Sequence, residues 1–340
     1  MPLRPVRIDM RPTMVARFAA WIGLATALIA VTTAPVEAQS YPTRNIRLIV
    51  PYAAGGGTDT IGRAMGQVLT TKLGQTVVVE NIGAAGGNVA TQMVSTSPHD
   101  GYTILMANQG PLTINPHLIK SFKIDTLKAF DPICLIAVTP LIMVVAADSQ
   151  FEDFPQLLAF ARANPGKLSY GTAGVGSASH LAAILLNSAA GIETVAVPYR
   201  GAAPAVIDLI GRRIDFMVTP MSSLIGFLQS KTVRPIAVAS KQRVIALPNV
   251  PTIRESGVSQ YDAGDGAWYG MVVPKGTPHE IVERLRSAIV EGIKEPVLAS
   301  RLSNDGAYPV GGTPEEFRAF LKAESDRWSK AIQNAGISVD

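Results

Sequence analysis

Cysteine is nearly absent from this chain: Cys134 is the only one in 340 residues. One thiol cannot close an internal disulfide, so stability has to come from core packing. Cys134 sits within Ile133-Cys134-Leu135-Ile136, a setting for a buried small hydrophobe rather than a nucleophile. Aromatic residues make up only 6%, which argues against nucleobase stacking. Charged residues make up 16% against 47% hydrophobic, the balance of a well-packed globular protein. No apolar run reaches the roughly 20 residues of a membrane-spanning helix. Gly-x-Ser-x-Gly, Walker and His-Glu-x-x-His motifs are missing, and His99, His117, His180 and His279 are too scattered for metal-ligand spacing. No catalytic residue, metal or cofactor is expected.

What is present begins with a leader. Arg4, Arg7, Arg11 and Arg17 precede an apolar stretch from Phe18 to Val31, and Val36-Glu37-Ala38 offers small residues for cleavage. Residues 1–38 therefore read as a secretory signal. The formal charge is +4 for the whole chain; without the leader's four Arg, Asp9 and Glu37 it is 26 basic against 24 acidic residues. No Lys/Arg cluster survives in the remainder, so nucleic acid is not an expected partner.

From Tyr41 onward strands and helices alternate. Strands are expected near 46–50, 76–80, 103–106, 133–146, 168–171, 194–199, 214–218, 234–239 and 267–273. Helices are expected over 59–72, 154–163, 177–190, 202–210, 278–291 and 314–335, an order typical of βαβ units and parallel sheets. Ile133 to Ala147, broken by Pro140, reads as a long strand passing between two domains. A second crossing is expected between Ala239 and Gly270, where Pro248, Pro251, Gly257, Gly264 and Gly266 mark loops and hinges.

Two glycine-bearing turns draw attention. Gly55-Gly56-Gly57 follows a buried strand, and Thr58-Asp59 opens a helix, so bare backbone N–H groups face whatever lies above the turn. Thr58 or Asp59 is expected to cap that helix, and a side chain at Gly56 to block backbone approach. About 120 residues later Thr172-Ala173-Gly174-Val175-Gly176-Ser177 leads through Ser179 and His180 into another helix. Gly174-x-Gly176-x-x-Ser179 is close to a dinucleotide fingerprint, but Glu193 lies at the wrong end of the next strand to hold a ribose. That leaves hydroxyls beside free N–H groups, neutral donors suited to a carboxylate. His180, in the first helical turn, is expected to be neutral. Arg200, at a strand end, could meet a ligand carboxylate or an acid on the facing domain. Further turns at Gly83–Gly87 and Gly201–Pro204 follow strands in the same way.

These residues also carry a resemblance. Pro51-Tyr52-Ala53-Ala54-Gly55-Gly56-Gly57-Thr58-Asp59, Val79-Glu80-Asn81 with Gly86-Gly87, Asp100-Gly101-Tyr102-Thr103, Val197-Pro198-Tyr199-Arg200-Gly201, Trp268-Tyr269-Gly270 and Pro274-Lys275-Gly276-Thr277-Pro278 resemble motifs of the Bug family, the periplasmic solute receptors of tripartite tricarboxylate transporters. The resemblance spans nearly the whole chain after the leader. It implies an α/β two-domain periplasmic binding protein of type II, a Venus flytrap, each domain a mainly parallel sheet flanked by helices with two hinge crossings. The expected division is 41–140 and 251–340 for one domain and 141–250 for the other. It also implies a carboxylate ligand in the cleft, delivered to membrane components of the transporter, and a monomeric receptor. Tyr52, Ala53, Ala54 and Asn108 join the two turns and Arg200 as expected ligand contacts. Tyr52, Arg200, Thr172-Ala173 and Asn108-Gln109 depart from the commoner family residues, which leaves the identity of the acid open. The alternatives are an exported enzyme acting on a carboxylic acid through Ser177 and His180, or a sensing module for a signalling partner.

Overall fold

Ile46–Val50 is buried at four of its five positions, as a strand must be when both faces of its sheet are covered. The computed structural model describes Pro2, residues 41–304 and residues 306–339. Among these the strands are β1 (Ile46–Val50), β2 (Val77–Asn81), β3 (Thr103–Asn108), β4 (Phe130–Thr139), β5 (Leu141–Ala146), β6 (Ser169–Thr172), β7 (Val195–Pro198), β8 (Phe216–Pro220), β9 (Val233–Val238), β10 (Ala267–Pro274) and β11 (Tyr308–Gly311). The helices of eight residues or more are α1 (Gly57–Leu73), α2 (Asn88–Ser95), α3 (Phe154–Ala163), α4 (Ala178–Ala190), α5 (Ala202–Ile210), α6 (His279–Lys294), α7 (Pro296–Asn304) and α8 (Pro314–Ala335). The expected signal lies outside the described residues, Pro2 excepted. No helix among the described residues is long and apolar enough to cross a membrane.

Two sheets result, ordered β11-β4-β10-β3-β1-β2 and β7-β6-β8-β5-β9. Both are mixed rather than mainly parallel. β1 pairs in parallel with β2 and β3, and β6 with β7 and β8, while every pairing made by β5 or β10 is antiparallel. The cause is the route of the chain. β1, β3, β6 and β8 end at the space between the sheets, whereas β5 and β10 enter their sheets there and must run the other way. The single strand expected over 133–146 is accordingly two, broken at Pro140, with β4 in one sheet and β5 in the other. Helices α2 and α7 and strand β11 are additions to the expected elements.

Period-two patterning in β5 shows how the second sheet is covered. Leu141, Met143 and Val145 join a core with Phe154, Leu157, Tyr170 and Phe216, while Ile142 and Val144 face a separate core with Val206, Leu209 and Met217. On the first sheet Trp268 packs edge-on against Phe317 and Phe320, with ring centroids 5.8 and 5.6 Å away. Cys134 is fully buried, and burial pushes its thiol up to about 12, as an inert core residue requires. Trp328 and Ile332 of α8 meet Leu181 of α4 in a further cluster, so the last helix touches both lobes.

Candidate ligand-binding site

The ends of β1, β3, β6 and β8 converge on a small cavity. Of the residues expected from sequence, Tyr52, Gly56, Gly57, Thr58, Asn108, Ala173, Ser177 and Ser179 line it. The others stand behind this layer. Ala54 and Gly55 are exposed on the outside of the first turn. The Ala53 N–H donates to the Arg200 carbonyl at 2.9 Å, tying the two lobes by backbone alone. No ion pair or side-chain hydrogen bond of the Arg200 guanidinium occurs among the described residues, so the expected pairing with an acid of the facing domain is not made.

Asp59 does not cap α1 as the N-cap residue; that position belongs to Gly56, which has no side chain to offer. From the first turn of the helix the Asp59 carboxylate instead reaches back and sideways. It accepts from the Gly55 N–H at 2.9 Å, Arg63 Nε at 3.0 Å and Asn81 Nδ2 at 2.9 Å. Burial pushes this carboxyl up, but the donors from Arg63, Gly55 and Asn81 outweigh it and hold the group below the usual carboxylate range. Its charge is thereby retained without facing the cavity.

The second turn contains no charge. Ser177 is the N-cap of α4, its Oγ accepting from the His180 N–H at 3.3 Å and lying 2.9 Å from Ser179 Oγ. Ser179 Oγ accepts from the Ala173 N–H at 2.8 Å, and Thr172 Oγ1 from the Gly174 N–H at 3.0 Å. His180 Nδ1 accepts from the Gly176 N–H at 3.2 Å, and burial lowers the imidazole to about 4, so the ring is neutral. The ring makes no bond to Ser177 Oγ, and the pair is not arranged as nucleophile and base.

Donors remain where the two helices begin. The Gly57 N–H donates to Ser223 Oγ at 2.9 Å, a side chain of the opposite lobe. The N–H groups of Thr58, Ala178 and Ser179, in the first turns of α1 and α4, carry no side-chain acceptor among the described residues, and all three residues line the cavity. Asn108 adds a side-chain donor. It is 5% exposed, its Oδ1 accepts from the Tyr52 hydroxyl at 3.3 Å, and its buried Nδ2 has no partner. An orphaned amide N–H costs about 1–3 kcal/mol, which an acceptor in the cavity removes.

Sequence reasoning missed Gln109, Ala178, Ala202, Pro220, Ser223, Ala267 and Tyr269 as lining residues. Ser222 and Ser223 follow β8 as the two glycine turns follow β1 and β6, so the strand-end rule would have found them. Tyr269 Oη lies 3.0 Å from Ser222 Oγ, and burial pushes its phenol up to about 12; Tyr52 is raised by burial as well. A Cβ built on Gly56 finds room 3.7 Å from the Ala202 nitrogen, whereas one on Gly57 meets Ser222, Tyr269 and Ser223.

Against known proteins, residues 61–337 match the family model described as tripartite tricarboxylate transporter family receptor. The chain belongs to this receptor family. A UPF0065 protein encoded in the tcbD-tcbE intergenic region of Pseudomonas sp. strain P51 is 39% identical over 91% of this chain and 92% of its own length. Protein BugT of Bordetella pertussis is 32% identical over 94% of this chain and 96% of its own. Among solved structures, the periplasmic binding protein BugD superposes with a TM-score of 0.84 at 34% identity, covering 88% of this chain and 99% of BugD. An R. palustris protein solved with adipate gives 0.84 at 32% identity, with 88% and 99% coverage. MatC from Rhodopseudomonas palustris, solved with malate, gives 0.82 at 27% identity, with 86% and 100% coverage. This Bug-family receptor therefore has the two-domain α/β fold of periplasmic binding proteins, and its family consists of solute receptors rather than enzymes.

Proposed function

We propose that this receptor captures a small carboxylate in the cavity between the starts of α1 and α4 and delivers it to the membrane components of a tripartite transporter. The observation that carries the reading is the unpartnered Asn108 Nδ2 in a cavity already rich in helix N-terminal donors. The relatives solved with adipate and malate support the same ligand class. In this reading Tyr52, Gly56, Gly57, Thr58, Asn108, Ala173, Ser177 and Ser179 bind the ligand together with Ser223 and Tyr269. The lobes, 41–140 with 251–340 and 141–250, close about the two crossings between β4 and β5 and between β9 and β10. Residues 1–38 direct export to the periplasm, where the receptor works as a monomer. Calorimetry and thermal-shift screening of the exported protein against mono- and dicarboxylates test this. Stabilisation by at least one acid is expected; no response to any acid at millimolar concentration overturns it.

A further inference from the structure

Gly174-Val175-Gly176, the middle of the second turn, takes no part in lining the cavity, although Ala173 and Ser177 on either side of it do. It is engaged elsewhere. From the end of β6 in the second sheet it meets the turns that follow β2 and β3 in the first. A Cβ built on Gly86 would collide with the Val175 carbonyl oxygen, and one on Gly174 would stand 3.1 Å from Gly86 Cα. A Cβ on Gly110 would come within 3.0 Å of the Gly176 carbonyl oxygen, and one on Gly176 would collide with the fully buried Asn115 side chain. Contact, not backbone angle, is what excludes a side chain here. Gly191 has the same φ of 63° as Gly86, yet a Cβ placed on it meets no atom within 4 Å.

Both sides of this seam are braced from within. The Gly174 and Gly176 N–H groups donate inside their own loop, to Thr172 Oγ1 at 3.0 Å and His180 Nδ1 at 3.2 Å. On the facing side the Tyr52 hydroxyl donates to the Gly86 carbonyl at 3.3 Å, and Asn115 Nδ2 donates to Asn88 Oδ1. Among the described residues no hydrogen bond joins the two sides at these positions, so van der Waals contact alone holds them. That attraction is short-ranged: a gap of roughly 0.5–1 Å forfeits about a quarter to a half of it. We infer that Gly86, Gly110, Gly174 and Gly176, with Asn115, form a latch that holds the two lobes together, as positioning residues that set ligand affinity without touching the ligand. The latch rests on the lobe closure proposed above and adds the residues that secure it. It stabilises only the fully closed form, and the population of that form scales the apparent affinity.

Gly86→Ala tests this on the whole receptor, with Gly191→Ala as the control for the shared backbone angle. Hydrogen exchange of the free protein is read over residues 172–180, and affinity for adipate and malate by calorimetry. Gly86→Ala is expected to speed exchange at Gly174–Ser177 and to weaken whichever acid binds by about tenfold, while Gly191→Ala changes neither. Equal effects of the two substitutions, or no effect of Gly86→Ala, overturn the latch. Gly176→Ala approaches the seam from its other side. It is expected to speed the same exchange, and Asn115→Ala in the same chain to restore protection, because it removes the side chain that the added methyl would meet. A double variant no better protected than Gly176→Ala alone overturns the latch as well, and this pair decides the matter where circular dichroism shows Gly86→Ala unfolded. Failure of the wild-type receptor to bind any acid overturns the carboxylate reading alone; the exchange comparisons need no ligand and still decide the latch.

Discussion

The two turns that flank the cavity present the same thing, backbone N–H groups at the start of a helix, but they are braced in different ways. Gly55–Asp59 is held by a buried charge: one carboxylate gathers Gly55, Arg63 and Asn81 behind the turn. Thr172–His180 is held by neutral groups: three hydroxyls and an imidazole each take one N–H of the loop. Both leave the foremost donors free. The difference shows that the cavity's neutrality is a property of which side of the turn the charge stands on, since the first turn contains an ionised residue and still shows none of it to a ligand.

Changing pH separates the two braces most strongly. His180 is held near 4 in the folded protein against an ordinary 6.5, so the unfolded chain binds a proton first as pH falls. Its contribution is complete above 6.5, is lost progressively between 6.5 and about 4, and is constant below that, a total on the order of 3 kcal/mol. Asp59, lowered in the folded state, loses its contribution only below the ordinary carboxylate value of 3.8. Urea denaturation at stepped pH is therefore expected to report the second turn first. His180→Asn, which keeps an acceptor near Nδ1 and cannot titrate, should flatten the difference between 6.5 and 4; an unchanged slope would mean that His180 is not its source.

At neutral pH the charged brace is the more costly one to remove. Asp59→Ala strips the acceptor from three donors and is expected to cost about 2–3 kcal/mol in urea denaturation. A loss under 1 kcal/mol would show that water replaces the carboxylate freely. Ser177→Ala removes one N-cap, with an expected cost of about 1 kcal/mol by the same measurement. If the order is reversed, the hydroxyl web is the stronger support and the comparison falls.

The sequence disclosed one partner in each of these braces and concealed the others. Ser177, two residues before Ser179 and three before His180, is a local N-cap pattern that can be read directly. Asp59 was visible as an acid in a first helical turn, but Asn81 lies 22 residues away on β2, and only the parallel pairing of β1 with β2 brings it within reach. At Arg200 the observed tie was the concealed one: the carbonyl accepts from the Ala53 N–H, and a backbone group identical in every residue is invisible in the residue type. Ser223 and Tyr269, on β8's following turn and on β10, enter the cavity from places more than 160 residues beyond the first turn.

Hydrophobic period, glycine position and helix-capping pattern are local quantities, and through them the sequence alone determined the α/β elements, the two turns and the family motifs. Sheet direction was not local. It followed from where the chain re-enters each lobe, which made β5 and β10 antiparallel to strands that sequence pattern alone would place in parallel. The polarity of the cavity was also decided in three dimensions, because a hydroxyl or amide is donor or acceptor according to the partner that already holds it. Asn108 is the plainest case: its residue type allows either role, and the fold sets its oxygen to accept from the Tyr52 hydroxyl while its buried Nδ2 has no partner.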